Sequence, residues 1–109
     1  MAEVKSSELS KGERLLIDRR RRGERQGKAA SRLKVPLSRY SLWERDLLDG
    51  APKVSLGQLK AHERCVIYRR RCGKSQVEVA QELEVCRWWL NQMEAGTVDC
   101  TPLACYWEQ

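Results

Sequence analysis

Arg19 to Arg22 form an unbroken run of four arginines, and Arg25, Lys28 and Arg32 continue the positive charge beyond it. Groups of this type at this density attract phosphate. Cations in the last turn of a helix also stabilise its dipole by a few tenths of a kcal/mol or more. Phosphate contact and a solvated, dipole-balancing face are therefore both open readings of the run. Catalysis fits poorly. A single histidine, His62, with no nucleophile motif and no paired carboxylates at useful spacing, leaves nothing to run general acid–base chemistry, so no enzyme is expected. The cysteines Cys65, Cys72, Cys86, Cys100 and Cys105 all lie in the second half, and neither Cys100-x4-Cys105 nor His62 completes a zinc-binding set. Free thiols, no metal and no cofactor are the expectation.

The chain has 109 residues, a net charge of +6 and a pI near 9.3, which suits a polyanionic partner. The charge is unevenly placed: residues 1–50 hold 13 Lys and Arg against 8 Asp and Glu, whereas residues 51–109 hold 8 against 7. The first half should supply most of the phosphate attraction. With 41% hydrophobic and 33% charged residues the composition is that of a helical globular protein rather than a disordered one. No apolar stretch approaches the roughly 18 residues of a membrane span, and the polar N-terminus is no signal peptide. A cytoplasmic location without membrane partners is expected.

Any such chemistry must be positioned by a repeat. Residues 13–52 and 63–102 align at an offset of 50 without a gap, with 14 identities in 40 positions. Glu13, Arg14, Ile17, Arg19, Arg20, Arg21, Gly23, Gln26, Ala30, Leu33, Val35, Glu44, Asp49 and Pro52 all recur 50 residues later, far beyond chance. The periodicity predicts a flexible tail over 1–8, a first repeat over 9–54 and a second over 55–109. In the first repeat, helices are expected from about Leu9 to Arg22, ending at Gly23, from Gln26 to Leu33, and from Pro36, at the first helical position, to about Glu44. The run Leu56, Leu59, Glu63, Val66, Ile67, Arg70 predicts one long helix from Ser55 to Gly73 that serves both repeats. Ser75 and Glu78 form a capping box for a helix starting at Gln76. A further helix is expected from Arg87 to Glu94, stopped by Gly96, and a last short one from Thr101 and Pro102, packing through Leu103, Tyr106 and Trp107.

Gly73 to Gly96, with Gln76, Val79, Ala80, Leu83, Val85, Leu90, Met93 and Glu94 at their spacing, resembles the helix-turn-helix of the Cro and lambda-repressor family. In the first repeat Ala29, Ala30, Leu33, Val35, Tyr40 and Trp43 take the core positions. The resemblance implies an all-α fold, a tandem pair of lambda-repressor-like helix-turn-helix units sharing a long central helix. It also implies an ion pair between helix 1 and the end of helix 3, Arg19 with Glu44 and Arg69 with Glu94. The base-reading positions it implies are Arg87, Trp88 and Gln92, with Asn91 adjacent, and Leu37, Ser38 and Leu42, with Arg39 and Ser41 nearby. Arginine suits guanine, and Asn and Gln suit adenine. Gln26 and Gln76 match the family residue that contacts phosphate, and Arg22, Arg25 and Lys28 extend the basic face. The chain departs from the family at Lys34 and Glu84, where the turn usually has Gly, and at Gly27 inside helix 2.

The functional expectation is a DNA-binding transcriptional regulator of bacterial or phage type, such as a repressor, on duplex DNA, with a homodimer possible. The alternative is a regulatory adaptor or antiactivator using the same fold to grip a protein such as polymerase or an activator. Trp88 and Trp89 cannot both enter one core from adjacent helical positions. Packing on the neighbouring repeat, a protein interface through Trp88 and Trp89, and a base or sugar contact are the three readings of the pair. Trp43 and Trp107 read as core.

Overall fold

Ser10 fixes the first helix. Its backbone is extended (φ −69°, ψ 166°), its hydroxyl accepts from the Glu13 N–H at 3.1 Å, and the Glu13 carboxylate accepts from the Ser10 N–H at 3.0 Å. This reciprocal cap starts helix α1 at Lys11 rather than Leu9, and α1 runs Lys11–Arg22 to a left-handed Gly23 (φ 67°). In the computed structural model, which describes residues 8–108, there follow α2 (Gln26–Arg32), α3 (Leu37–Glu44), α4 (Ala61–Cys72), α5 (Gln76–Leu83), α6 (Arg87–Ala95) and α7 (Thr101–Trp107). Among the described residues the architecture is all-helical, without strands. The expected tail over 1–8 falls outside the described residues except for Glu8.

The described residues divide into two compact units, one up to Gln58 and one from Leu59 onward. In the first, Leu15, Ala29, Ala30, Tyr40 and Trp43 form a buried cluster, with Leu33, Val35, Ala51 and Val54 packed against it. The small side chains of Ala29 and Ala30 let α2 and α3 approach closely. Pro36 is the N-cap of α3, not its first residue: its ψ of 149° is extended, while its carbonyl already accepts from the Tyr40 N–H at 3.1 Å.

The expected long helix over 55–73 is not formed. Residues 51–60 have no helical structure, and α4 begins only at Ala61. The physical reason is visible in α1: Arg14 donates to the Val54 carbonyl (3.3 Å), and Arg21 to the carbonyls of Leu56 (2.7 Å) and Gln58 (3.1 Å). These side chains replace the backbone ladder that a helix would have supplied. Gly57, at φ 67°, completes the break. Pro52, Val54 and Leu56 are half-buried between exposed Lys53, Ser55 and Gly57, the alternation of an extended strap rather than of a helix.

In the second unit, Cys65, Val66, Ile67, Tyr68, Val79, Ala80, Leu90, Met93, Leu103 and Trp107 are buried. Ser75 and Glu78 form the expected capping box, and Gly96 (φ 80°) ends α6. The positions aligned with the strap of the first unit are here α7. Asp99 starts it, accepting from the Thr101 N–H at 3.1 Å and the Thr101 hydroxyl at 2.6 Å, contacts that hold its carboxyl below the usual range. The Trp107 ring meets Tyr106 edge-on at 4.8 Å and Tyr68 at 6.1 Å. Asp49, the aligned partner of Asp99, instead offers its carbonyl to the Trp43 indole N–H at 3.2 Å. The aspartate shared by the two repeats thus acts through its side chain in the second unit and through its backbone carbonyl in the first.

Candidate nucleic-acid interface

Each unit holds its third helix against its first through one buried carboxylate. Arg19 donates to Glu44 through Nε (2.6 Å) and Nη2 (3.3 Å), and Arg69 donates to Glu94 through Nε (2.7 Å) and Nη2 (3.2 Å). Glu44 and Glu94 are buried, Glu94 completely. The same arginines reach the next turn through Nη1, to the carbonyls of Glu24 (3.1 Å) and Lys74 (3.3 Å). Two-pronged geometry with further hydrogen bonds is what a charge pair needs away from water.

Gln26 and Gln76 complete these clusters. Each amide nitrogen donates to its glutamate at 3.0 Å, so both side chains turn inward, where the resemblance implied a phosphate contact. In the second unit the network extends outward: Gln76 also donates to Asn91 (3.3 Å), and Arg87 donates to the Gln76 oxygen (3.4 Å). Arg69, Ser75, Gln76, Val77 and Arg87 line a concavity of about 310 Å³ there. Arg87, Asn91 and Gln76 are thus brought together. Gln92 is not part of the set, because its side chain accepts from the Thr97 hydroxyl at 2.5 Å. The first unit has Leu37 and Ser41 at the aligned positions and so lacks this outward network.

The arginine run is largely committed within the first unit. Arg19 serves Glu44, Arg21 holds the strap, and Arg22 pairs with Asp18 at 3.1 Å. Arg32 pairs with Glu24 (3.1 Å) and Asp18 (3.4 Å), and its pKa is raised first by the Glu24 hydrogen bond. Arg25, Lys28 and Arg39 are different: exposed, and in no ion pair among the described residues. They stand at the entry of α2, in its first turn and on α3, with Gly27 between the first two and open space around it. Leu37 is 52% exposed at the start of α3, Ser38 is exposed beside it, and Ser41 and Leu42 are half-buried.

Both turns ahead of the third helices are left-handed at a non-glycine residue, Lys34 (φ 59°) and Glu84 (φ 57°). The turn geometry is the one glycine would favour, held without glycine. A second relationship was readable in the alignment and missed: Glu24 and Arg32 correspond to Lys74 and Glu82 with signs exchanged. Lys74 pairs with Glu82 at 3.0 Å and lies over the Tyr106 ring, whose hydroxyl donates to Glu82. These hydrogen bonds, Tyr106 first, hold the Glu82 carboxyl below its ordinary range.

Trp88 and Trp89 are both exposed, 62% and 40%, with ring centroids 6.0 Å apart, whereas Trp43 and Trp107 are buried. The five cysteines are free thiols, and among the described residues no three His, Cys, Asp or Glu side chains group as a metal would need. Among those residues no helix is long and apolar enough to cross a membrane. Compared with protein-family models, curated proteins and solved structures, the chain matches none.

Proposed function

We propose that each unit is a helix-turn-helix of the Cro and lambda-repressor kind, and that the chain is a DNA-binding transcriptional regulator whose first unit contacts duplex DNA. The observation that carries the reading is the trio Arg25, Lys28 and Arg39: exposed cations at the entry of α2, in its first turn and on α3, left out of the ion pairs that occupy Arg19, Arg22 and Arg32. Uncommitted cations release counterions on meeting phosphate, while paired ones must first break a protein contact. Gly27 leaves α2 without a side chain between two of them, so a backbone can come close. The α1–α3 clamp through Glu44 makes the presenting surface rigid. Leu37 and Ser38 then face base edges, where the thymine methyl is the apolar target.

Titration of duplex DNA over a range of salt concentrations tests this. Binding should weaken with salt, and Arg25→Ala, Lys28→Ala and Arg39→Ala should each flatten the log–log slope by about 0.9. Arg22→Ala should change it less. Absence of duplex binding at low ionic strength sinks the reading.

Trp88 and Trp89 support a second reading, a regulatory adaptor that binds another protein through its second unit. A fold of this kind does not by itself establish DNA binding, and paired exposed indoles are of the type that anchors protein interfaces.

A further inference from the structure

At the offset of 50, the cations of α2–α3 are replaced on α5–α6, with Glu82 in the place of Arg32 paired to Lys74 as Arg32 is paired to Glu24. Arg25, Lys28, Arg32, Lys34 and Arg39 correspond to Ser75, Glu78, Glu82, Glu84 and Trp89. Cations give way to three carboxylates, a hydroxyl and an indole. Over the same stretch Gly27 becomes Val77 and Ser38 becomes Trp88. Val77 is 45% exposed, so two indoles and an isopropyl group stand in solvent on two helices that pack together. The core does not need them: Val79, Leu90, Met93, Leu103 and Trp107 already close it. Arg87, the one cation of α6, is turned to Gln76.

We infer that this face docks an amphipathic helix of another protein whose apolar stripe is flanked by lysine or arginine. The inference names the partner chemistry of the adaptor reading and rests on it, and it does not require the first unit to bind DNA. Exposed tryptophans supply the apolar anchor. The charge selects the partner: Glu78 in the first turn of α5 and Glu84 in the turn before α6 are both exposed, and Glu84 joins no ion pair among the described residues. Carboxylates at positions where the first unit has cations repel phosphate and attract a basic flank. The first unit of a second copy is also basic, and the test below separates that occupant from another protein.

The test uses a fluorescein-labelled synthetic helix of about 18 residues, leucines on one face and lysines flanking them, and a twin with glutamates in place of the lysines. Titrated with the full chain, the lysine peptide should bind about tenfold more tightly than its twin, and more weakly at higher salt. Trp88→Ala should weaken it about thirtyfold. Glu84→Lys should weaken the lysine peptide and strengthen the twin. This variant keeps the fold accessible, since Lys34 holds the same left-handed conformation in the first unit; helical circular dichroism checks each variant. Equal binding of the two peptides, or no effect of Trp88→Ala, overturns the inference. So does displacement of the peptide by duplex DNA whose own binding falls with Trp88→Ala, which assigns the face to nucleic acid. A dimer in sedimentation that disappears in Trp88→Ala overturns it in favour of a second copy. Duplex binding without peptide binding overturns this inference and leaves the DNA reading standing, while peptide binding without duplex binding supports it alone.

Discussion

The His62 ring occupies the space that a side chain at Gly96 would need. A Cβ at Gly96 would fall 2.6 Å from His62 Cδ2, and His62 Nδ1 lies 3.2 Å from the Glu94 carbonyl oxygen. In the first unit the aligned pair is Gly12 and Asp46, with the sizes exchanged. A Cβ at Gly12 would meet the Trp43 and Glu44 carbonyl oxygens at 2.5 Å, and the Asp46 carboxylate accepts instead from the Gly12 N–H (2.9 Å) and the Ser10 hydroxyl (2.5 Å). Each unit permits one large residue where its first helix crosses the end of its third.

The exchange predicts coupling. Gly12→His should destabilise the first unit by about 1–3 kcal/mol through overpacking against the Trp43 and Glu44 carbonyls and against the Asp46 carboxylate, whose Cγ would lie 2.9 Å from the added Cβ. Adding Asp46→Gly removes the opposing side chain and recreates the second unit's pairing, so the double variant should be less destabilised than the two single changes added together. Denaturant midpoints of the four proteins measure the coupling, expected at roughly 0.5–3 kcal/mol. Simple additivity would refute the size compensation.

Glu94 should be among the most sensitive positions in the chain. It is wholly buried, and Glu94→Ala removes the acceptor of Arg69 Nε and Nη2, leaving the guanidinium only the Lys74 carbonyl and the Gln76 amide only Asn91. A loss of about 3–5 kcal/mol is expected, with Glu44→Ala close behind it. Glu94→Gln retains one acceptor oxygen and should lose less. Chemical denaturation reads these changes, and an unmoved midpoint in Glu94→Ala would show that the clamp does not hold α6.

The turns before α3 and α6 carry avoidable strain. Lys34 and Glu84 sit at φ near 60°, which disfavours any residue with a Cβ by roughly 1–2 kcal/mol, while glycine costs about 0.5–1 kcal/mol in unfolded-chain entropy. Lys34→Gly and Glu84→Gly should therefore each stabilise by up to about 1 kcal/mol. Lower melting temperatures in both variants would mean that their side chains make contacts outweighing the strain.

The repeat made much of this legible. The resemblance implied the pairs Arg19–Glu44 and Arg69–Glu94, which the offset of 50 repeats, and the glycines and the Ser75 cap mark helix ends, because those signals are local or duplicated. The strap was illegible for the opposite reason. Leu56 and Leu59 continue a helical period, and what straightens the segment is Arg14 and Arg21, some 40 residues away in sequence, taking its carbonyls. The orientation of Gln26 and Gln76 was hidden likewise, since a glutamine opening a helix can face phosphate or a buried carboxylate equally well. Exposure of both Trp88 and Trp89 was half legible: adjacent helical positions exclude one shared core, but not that both stay out.

Alkaline pH should weaken the second unit through Cys65. The thiol is buried where the first unit has Leu15, and burial, then the neighbouring Cys100 and Glu94, push its pKa up to about 12 from 9.0. A raised folded-state pKa means the native state holds the proton more tightly, so this contribution is complete below pH 9 and lost as pH rises towards 12. The loss approaches 1.4 kcal/mol for each pH unit over that window. Cys65→Val keeps an apolar side chain without the titration, so its stability should fall less steeply between pH 9 and 11 than that of the wild type. Urea midpoints measured under reducing conditions compare the slopes. Other groups titrating in this range, Tyr40 among them, are common to both proteins and cancel in the difference. Parallel slopes would place the Cys65 thiol in contact with water in the folded state.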